Sequence, residues 1–208
     1  MKNLIGNVVR FLFAPKRPSG IANARHLQER GEHVDSIIIR EATPADVPAI
    51  AQLHVETFNE THAPVFKDGP KYEIREHQWK EIFNSPGNWF CLVIQNERGE
   101  LVGFAKAHPY THNDLPDFSG ELNKIYLLRK YHRLGLGKKL LCQVAERFLN
   151  QGVSSMLLFG EAHNPTNRFY ETLGAEKLFA ANGEFHGGYG WRDLKQLIAN
   201  CENNGQGK

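Results

Sequence analysis

The segment Glu121 to Leu141, ELNKIYLLRKYHRLGLGKKLL, limits what this chain can become more than any other stretch. An apolar, aromatic run reads as a strand, and it leads within a few residues into a helix. Gly135 and Gly137 sit where that helix begins. The first N–H groups of a helix have no intrahelical partner. Glycine lets a ligand approach them closely, so the turn is an anion site suited to phosphate. Arg133, Lys138 and Lys139 add positive charge. Over residues 138–150, Leu140, Leu141, Val144, Ala145, Phe148 and Leu149 share one helical face. On spacing alone, a glycine turn without any ligand stays open.

Two other phosphate motifs fail on residue identity. A P-loop needs GK followed by Ser or Thr, and here Gly137-Lys138 is followed by Lys139. A dinucleotide fingerprint needs a third glycine, and that position holds Leu140.

The remaining chain divides into an arm, a domain and a tail. Residues 1–36 carry six basic and three acidic side chains, so the arm is basic, whereas the rest is nearly balanced. Within the arm, Leu4, Ile5, Val8, Val9, Leu12 and Phe13 recur at helical spacing, and Pro15 and Pro18 would end that helix. Such a stripe suits packing on the domain or on a second subunit, which leaves a homodimer open, and it also suits a membrane surface.

Residues 37–198 form the organised domain, and residues 199–208 form a polar tail expected to fray. Strands are expected at 36–40, 89–95, 101–108, 121–128, 154–159, 175–181 and 185–192, with a hairpin turn at 96–100 and another about Asn182-Gly183. Thr43-Pro44-Ala45-Asp46 reads as a capping box for a first helix, followed by a loop over 59–76 and a second helix over 76–83. Asn164 can cap a short helix with Pro165 at its first position and Gly174 beyond its end.

Composition excludes several classes. A net charge of +2 is too small for a dedicated nucleic-acid binder. No apolar run reaches the roughly 18 residues of an integral membrane segment. Three widely spaced cysteines, Cys91, Cys142 and Cys201, suggest neither a disulfide framework nor a thiolate metal site, so a reducing, cytoplasmic compartment is expected. The ten histidines include no HExxH or other short metal spacing, and no metal is expected.

At the glycine turn the chain resembles the GNAT superfamily of acyl-CoA-dependent N-acetyltransferases. The family's signature, Q/R-x-x-G-x-G/A, reads here as His132-Arg133-Leu134-Gly135-Leu136-Gly137, with His132 a departure at the first position. NPTNRFYETLGAEK, Asn164 to Lys177, is similar to the family stretch ending in FYExLG, and GGYGWRDL, Gly187 to Leu194, is similar to its last strand. The resemblance implies an α+β, GNAT-like fold: a mixed, mostly antiparallel sheet of about seven strands flanked by about four helices.

It also implies acetyl-CoA as cosubstrate. Backbone of Ile125, Tyr126 and Leu127 would hold the pantetheine arm, and the Leu127 N–H would meet the oxyanion. His132, Arg133, Leu134, Gly135, Leu136, Gly137 and Lys138 would grip the pyrophosphate, and Asn164 would touch the pantetheine. Tyr170 would protonate the leaving thiolate.

Glu121 is the candidate base; alternation places it on the strand face of Ile125 and Leu127 unless a bulge intervenes. His108, His112 and Glu161 are its rivals. The acceptor is a primary amine of a small molecule or peptide, expected near His54, Thr57, Tyr72, Gln78 and Trp79. A non-catalytic acyl-CoA-binding module is the alternative.

Overall fold

The computed structural model describes residues 19–62, 69–164 and 166–203. The helix expected within residues 4–13, Pro165 and the end of the polar tail lie outside them.

Among the described residues, seven strands form one sheet: β1 (Ile38–Glu41), β2 (Phe90–Gln95), β3 (Leu101–Pro109), β4 (Gly120–Leu127), β5 (Met156–Phe159), β6 (Glu176–Phe179) and β7 (Phe185–Trp191), in the order β1-β2-β3-β4-β5-β7-β6. Every neighbouring pair is antiparallel except β4 and β5. The helices are α1 (Gly20–Glu29), α2 (Val47–His62), α3 (Tyr72–Asn84), α4 (Leu136–Asn150), α5 (Asn167–Thr172) and α6 (Leu194–Asn203). This is the mostly antiparallel α+β sheet implied by the resemblance, with more helices than the four expected.

Local chemistry explains the element ends. Thr43 and Asp46 form the expected capping box, and Arg40 grips Asp46 with two 2.8 Å hydrogen bonds. Pro48 is the second residue of α2, where a missing N–H costs no helical bond. Helix α2 runs on to His62 and α3 begins at Tyr72, so the expected loop is shorter at both ends. Helix α5 starts at Asn167 with Thr166 at its cap, so Asn164 is not the cap residue. Its side chain instead accepts from the Thr166 N–H at 2.9 Å and the Thr166 hydroxyl at 2.7 Å.

Strand β2 is buried along almost its whole length because helices cover both faces of the sheet. On one face, Trp79 of α3 stands edge-on to Phe104 of β3 at 5.3 Å. On the other, Phe148 of α4 meets Phe90 of β2 at 5.1 Å. The described part of the arm lies against this domain, with Leu27 of α1 fully buried in its core.

The cysteine expectation is overturned. Cys142 of α4 and Cys201 of α6 form a disulfide across a sequence separation of 59. Residues 199–203 of the tail expected to fray therefore continue helix α6, which packs on α4 with Leu194 and Leu197 fully buried. Wide spacing concealed the pair because only packing brings the two helices together. Cys91 stays buried, and burial pushes its thiol up to about 12. Closing a loop of this length should stabilise by roughly 2–4 kcal/mol. Reduction, or Cys201→Ser, should therefore lower the thermal midpoint by several degrees, read by calorimetry with and without reductant.

Candidate active site

The parallel strands β4 and β5 pair only at Gly120–Met156 and Glu121–Leu157, then part. Beyond that point β4 continues beside β3 alone. The Leu128 N–H donates to the Val102 carbonyl at 2.9 Å. Backbone groups alternate sides along a strand, so those of Leu127 and Ile125 face the gap. The Leu127 carbonyl accepts from His132 Nε2 at 2.7 Å, which makes that nitrogen the protonated one. The His132 ring thus ties the end of β4 to the following turn.

That turn ends at Gly135, the residue capping α4, with φ +79°. A left-handed backbone suits glycine and strains a β-branched residue. Arg133 also adopts a positive φ of 63°. The first helical bond runs from the Lys139 N–H to the Gly135 carbonyl at 3.0 Å. The amides of Leu136, Gly137 and Lys138 are consequently helix-end donors, as an anion site requires. Leu136 is buried and anchors the helix start, while Arg133 and Lys139 are exposed beside it.

A second layer holds the turn from behind. Asn23 of α1 donates to the Arg129 carbonyl at 3.1 Å and the His132 carbonyl at 2.8 Å. Gly20 lies so close that a Cβ there would stand 2.6 Å from the Arg133 carbonyl oxygen. Glu32 is buried and accepts from Tyr131, Asn96 and Arg98. Burial pushes its carboxyl up, but those partners and Arg30 outweigh burial and hold it below the ordinary range.

Across the gap, Tyr170 of α5 is buried among Phe169, Tyr189 and Trp191. Burial, then Tyr126 and Tyr189, push its phenol well above the ordinary value. It therefore carries its proton at neutral pH, as an acid must. Phe169 reaches toward Gly137, keeping α5 beside the start of α4.

Glu121 does not share the face of Ile125 and Leu127. The β3–β4 register shifts, with Lys106 opposite Lys124 and Ala107 opposite Leu122, so Asn123 is a bulge residue. Glu121 pairs with His108 and joins Lys124 and Tyr126 on the side of α2 and α3. Its Oε2 lies 3.8 Å from His108 Nε2, and its Oε1 accepts from Asn123 at 3.1 Å. The rivals separate in space: His108 belongs to this cluster, whereas His112 is exposed beside Tyr110 and Glu161 is exposed in the β5–α5 loop.

The sequence profile of the acetyltransferase (GNAT) family matches residues 47–175. The chain belongs to the GNAT acetyltransferase family. It is 32% identical over 171 residues to the uncharacterized N-acetyltransferase YuaI of Bacillus subtilis, covering 77% of this chain and 96% of that protein. It is 28% identical over 159 residues to the phosphinothricin N-acetyltransferase of Streptomyces viridochromogenes, covering 75% and 83%. Among solved structures it resembles the PaiA N-acetyltransferase of Thermoplasma acidophilum, in complex with coenzyme A, at TM-score 0.57 and 19% identity, covering 74% and 98%.

As a GNAT acetyltransferase, the protein draws its acetyl group from acetyl-CoA. Among the described residues, no helix is long and apolar enough to cross a membrane. Three residues named for the acceptor region are core elements instead. His54, Thr57 and Trp79 are buried, with Thr57 bonded to the Leu53 carbonyl at 2.7 Å. Tyr72 donates to Glu76 at 2.9 Å and Gln78 accepts from Arg75 at 2.9 Å. The charged residues at that rim, Arg75, Lys106 and Lys124, were missed. A lysine inside the apolar run GFAKAH was their one sequence signal.

His54 accepts from the Trp79 indole at 3.3 Å and stands 5.0 Å from the Tyr126 ring. Burial, then Arg75 and Lys124, push its pKa down from 6.5 to about 3. Between those values the unfolded chain binds the extra proton, so stability falls as pH drops through the window. His54→Phe should flatten that slope, measured by denaturant unfolding at pH 7, 5 and 4.

Proposed function

We propose that the protein transfers the acetyl group of acetyl-CoA to a primary amine of a small molecule or peptide. The observation that carries this reading is the gap between β4 and β5. It opens backbone amides of β4 between a glycine-capped helix start and a buried, protonated tyrosine. The turn amides of Leu134 and Gly135 and the helix-end amides of Leu136 to Lys138, with Arg133, would take the pyrophosphate. Backbone of Ile125, Tyr126 and Leu127 would run beside the pantetheine, and Asn164 would meet the same arm. His132, committed to the Leu127 carbonyl, would act by holding turn and strand together.

In the reaction, the amine lone pair attacks the thioester carbonyl carbon. A C–N bond forms, and the Leu127 N–H meets the developing oxyanion. The carbonyl re-forms as the C–S bond breaks, the thiolate takes the proton of Tyr170, and solvent returns a proton to the phenolate. A primary amine has a pKa near 10.4, so about one molecule in a few thousand is neutral at pH 7. Glu121, beside His108, would accept the surplus amine proton and pass it to water. Supplying a panel of amines with acetyl-CoA and reading thiol release tests the reading. No acetylated product from any amine would contradict it.

Tyr170→Phe keeps the ring and its packing and removes one proton donor. It should lower kcat by about 10²–10⁴-fold with acetyl-CoA affinity nearly intact. Wild-type kcat would leave Tyr170 as a core residue only.

Gly135→Val should abolish measurable CoA binding by calorimetry, because valine resists positive φ and its side chain would stand in the phosphate's path. His132→Ala removes one hydrogen bond, worth roughly 0.5–1.5 kcal/mol net, and should weaken binding only modestly. Equal losses would mean that side chains, not backbone amides, supply the grip.

A further inference from the structure

Three cations meet on the α2–α3 side of the sheet without a matching set of acids. Lys106 of β3 and Lys124 of β4 are direct cross-strand partners, so their side chains share that face. Lys106 is 9% exposed, and Lys124 is half-buried. Arg75 lies one turn before Trp79 on α3, which places it on the same sheet-facing side. Its Nη1 donates to Gln78, but its Nε is buried with no hydrogen-bond partner among the described residues. Among the described residues, no carboxylate lies within ion-pair distance of Arg75, Lys106 or Lys124. Among the described residues, Lys124 donates only to the neutral Asn123 oxygen, at 3.0 Å.

Like charges opposite each other on a sheet are unfavourable, and burying them adds a desolvation cost. The strain registers on the groups themselves. Burial holds both lysines below the ordinary ammonium value, and Lys106 and Arg75 push Lys124 down further. Glu121 opposes this for both lysines, yet it is one acid among three cations. A separate hollow of about 580 Å³ beside α5 differs in this respect, because its Lys177 already pairs with Glu171 at 3.2 Å.

The neighbouring row of the same face holds His108 and Glu121. An anion seated on Lys106 and Lys124 would thus lie roughly 6–7 Å along the strand from the candidate base, the span of two residues. That distance fits a compact molecule bearing both an amine and an anion. Resting on the acetyl-transfer reading above, we infer that the acceptor is a small amine carrying a carboxylate or phosphorus oxyanion, which Lys106, Lys124 and Arg75 recognise. The cations select the acceptor and align its amine toward Glu121 and the thioester. A diamine or polyamine would meet repulsion at the same place.

The test is a matched acceptor panel with acetyl-CoA and the full chain. It sets free amino acids and aminophosphonates against their neutral amides or esters and against diamines. The acids should exceed their neutral partners in kcat/KM by roughly ten- to a hundredfold, the scale of a hydrogen bond to a charged group. Lys106→Met and Lys124→Met should raise the KM of the best acid similarly, with the KM for acetyl-CoA unmoved. Arg75→Lys should retain more acid affinity than Arg75→Met.

Removing an unmatched buried charge should also raise the thermal midpoint of Lys106→Met, so lost acid affinity is not read as misfolding. Calorimetry with the same acids gives a readout independent of turnover. Acids that bind the wild type but not Lys124→Met, with nothing acetylated, would uphold the anion site and sink the acetyl-transfer reading. Neutral amides or diamines used as well as the acids would overturn the inference and leave acetyl transfer standing. So would methionine variants with unchanged acid affinity, or with equal losses for acid and acetyl-CoA.

Discussion

Two parallel strands that pair for two residues and then separate set the terms for the rest of the molecule. Backbone amides and carbonyls within a sheet need partners, and β4 beyond Glu121 lacks a strand on one side. A pantetheine arm, which carries amide groups of its own, can supply them. The glycine-capped start of α4 follows the same strand after a short turn, so the gap and the proposed phosphate site would form one path. In the proposed reaction, Tyr170 and Glu121 would act from the borders of that path.

The turn that would meet phosphate holds Arg133, the one non-glycine residue at positive φ among the described residues, two positions before Gly135. Such conformations persist where surrounding structure over-determines them. Here the support comes from three directions. His132 holds the Leu127 carbonyl, Asn23 holds two turn carbonyls, and the Tyr131–Glu32 contact fastens the turn to the segment after α1. The described half of the basic arm is therefore bonded to the turn that would meet the cofactor.

Charge divides the site into two halves with different tasks. At the helix start, positive charge is exposed and helix-end amides carry the directional contacts. On the acceptor side, cations are partly buried and crowded together, which is costly in the unliganded protein and becomes favourable when an anion arrives. A single carboxylate, Glu121, stands in the next row of the same sheet face, where β4 and β5 part. Its position makes it a partial counter-charge to both lysines and the candidate proton acceptor.

Much of this was legible in local sequence. The glycine turn, helix α4, the Thr43–Asp46 capping box and the approximate strand positions depend on chemistry confined to a few neighbouring residues: positive φ, helix periodicity, β-propensity and side-chain caps. The face of Glu121 was not legible, because one bulge at Asn123 reverses a period-two alternation and leaves no local mark. Nor was the Cys142–Cys201 bond, whose partners meet only after α6 packs on α4. Lys106, Lys124 and Arg75 come from two strands and a helix, and register and helix packing alone bring them together. Sequence by itself determined the elements and the glycine turn, since propensity and turn chemistry act over a few residues. Tertiary structure decided which side chains share a face, since that depends on contacts between segments far apart in the chain.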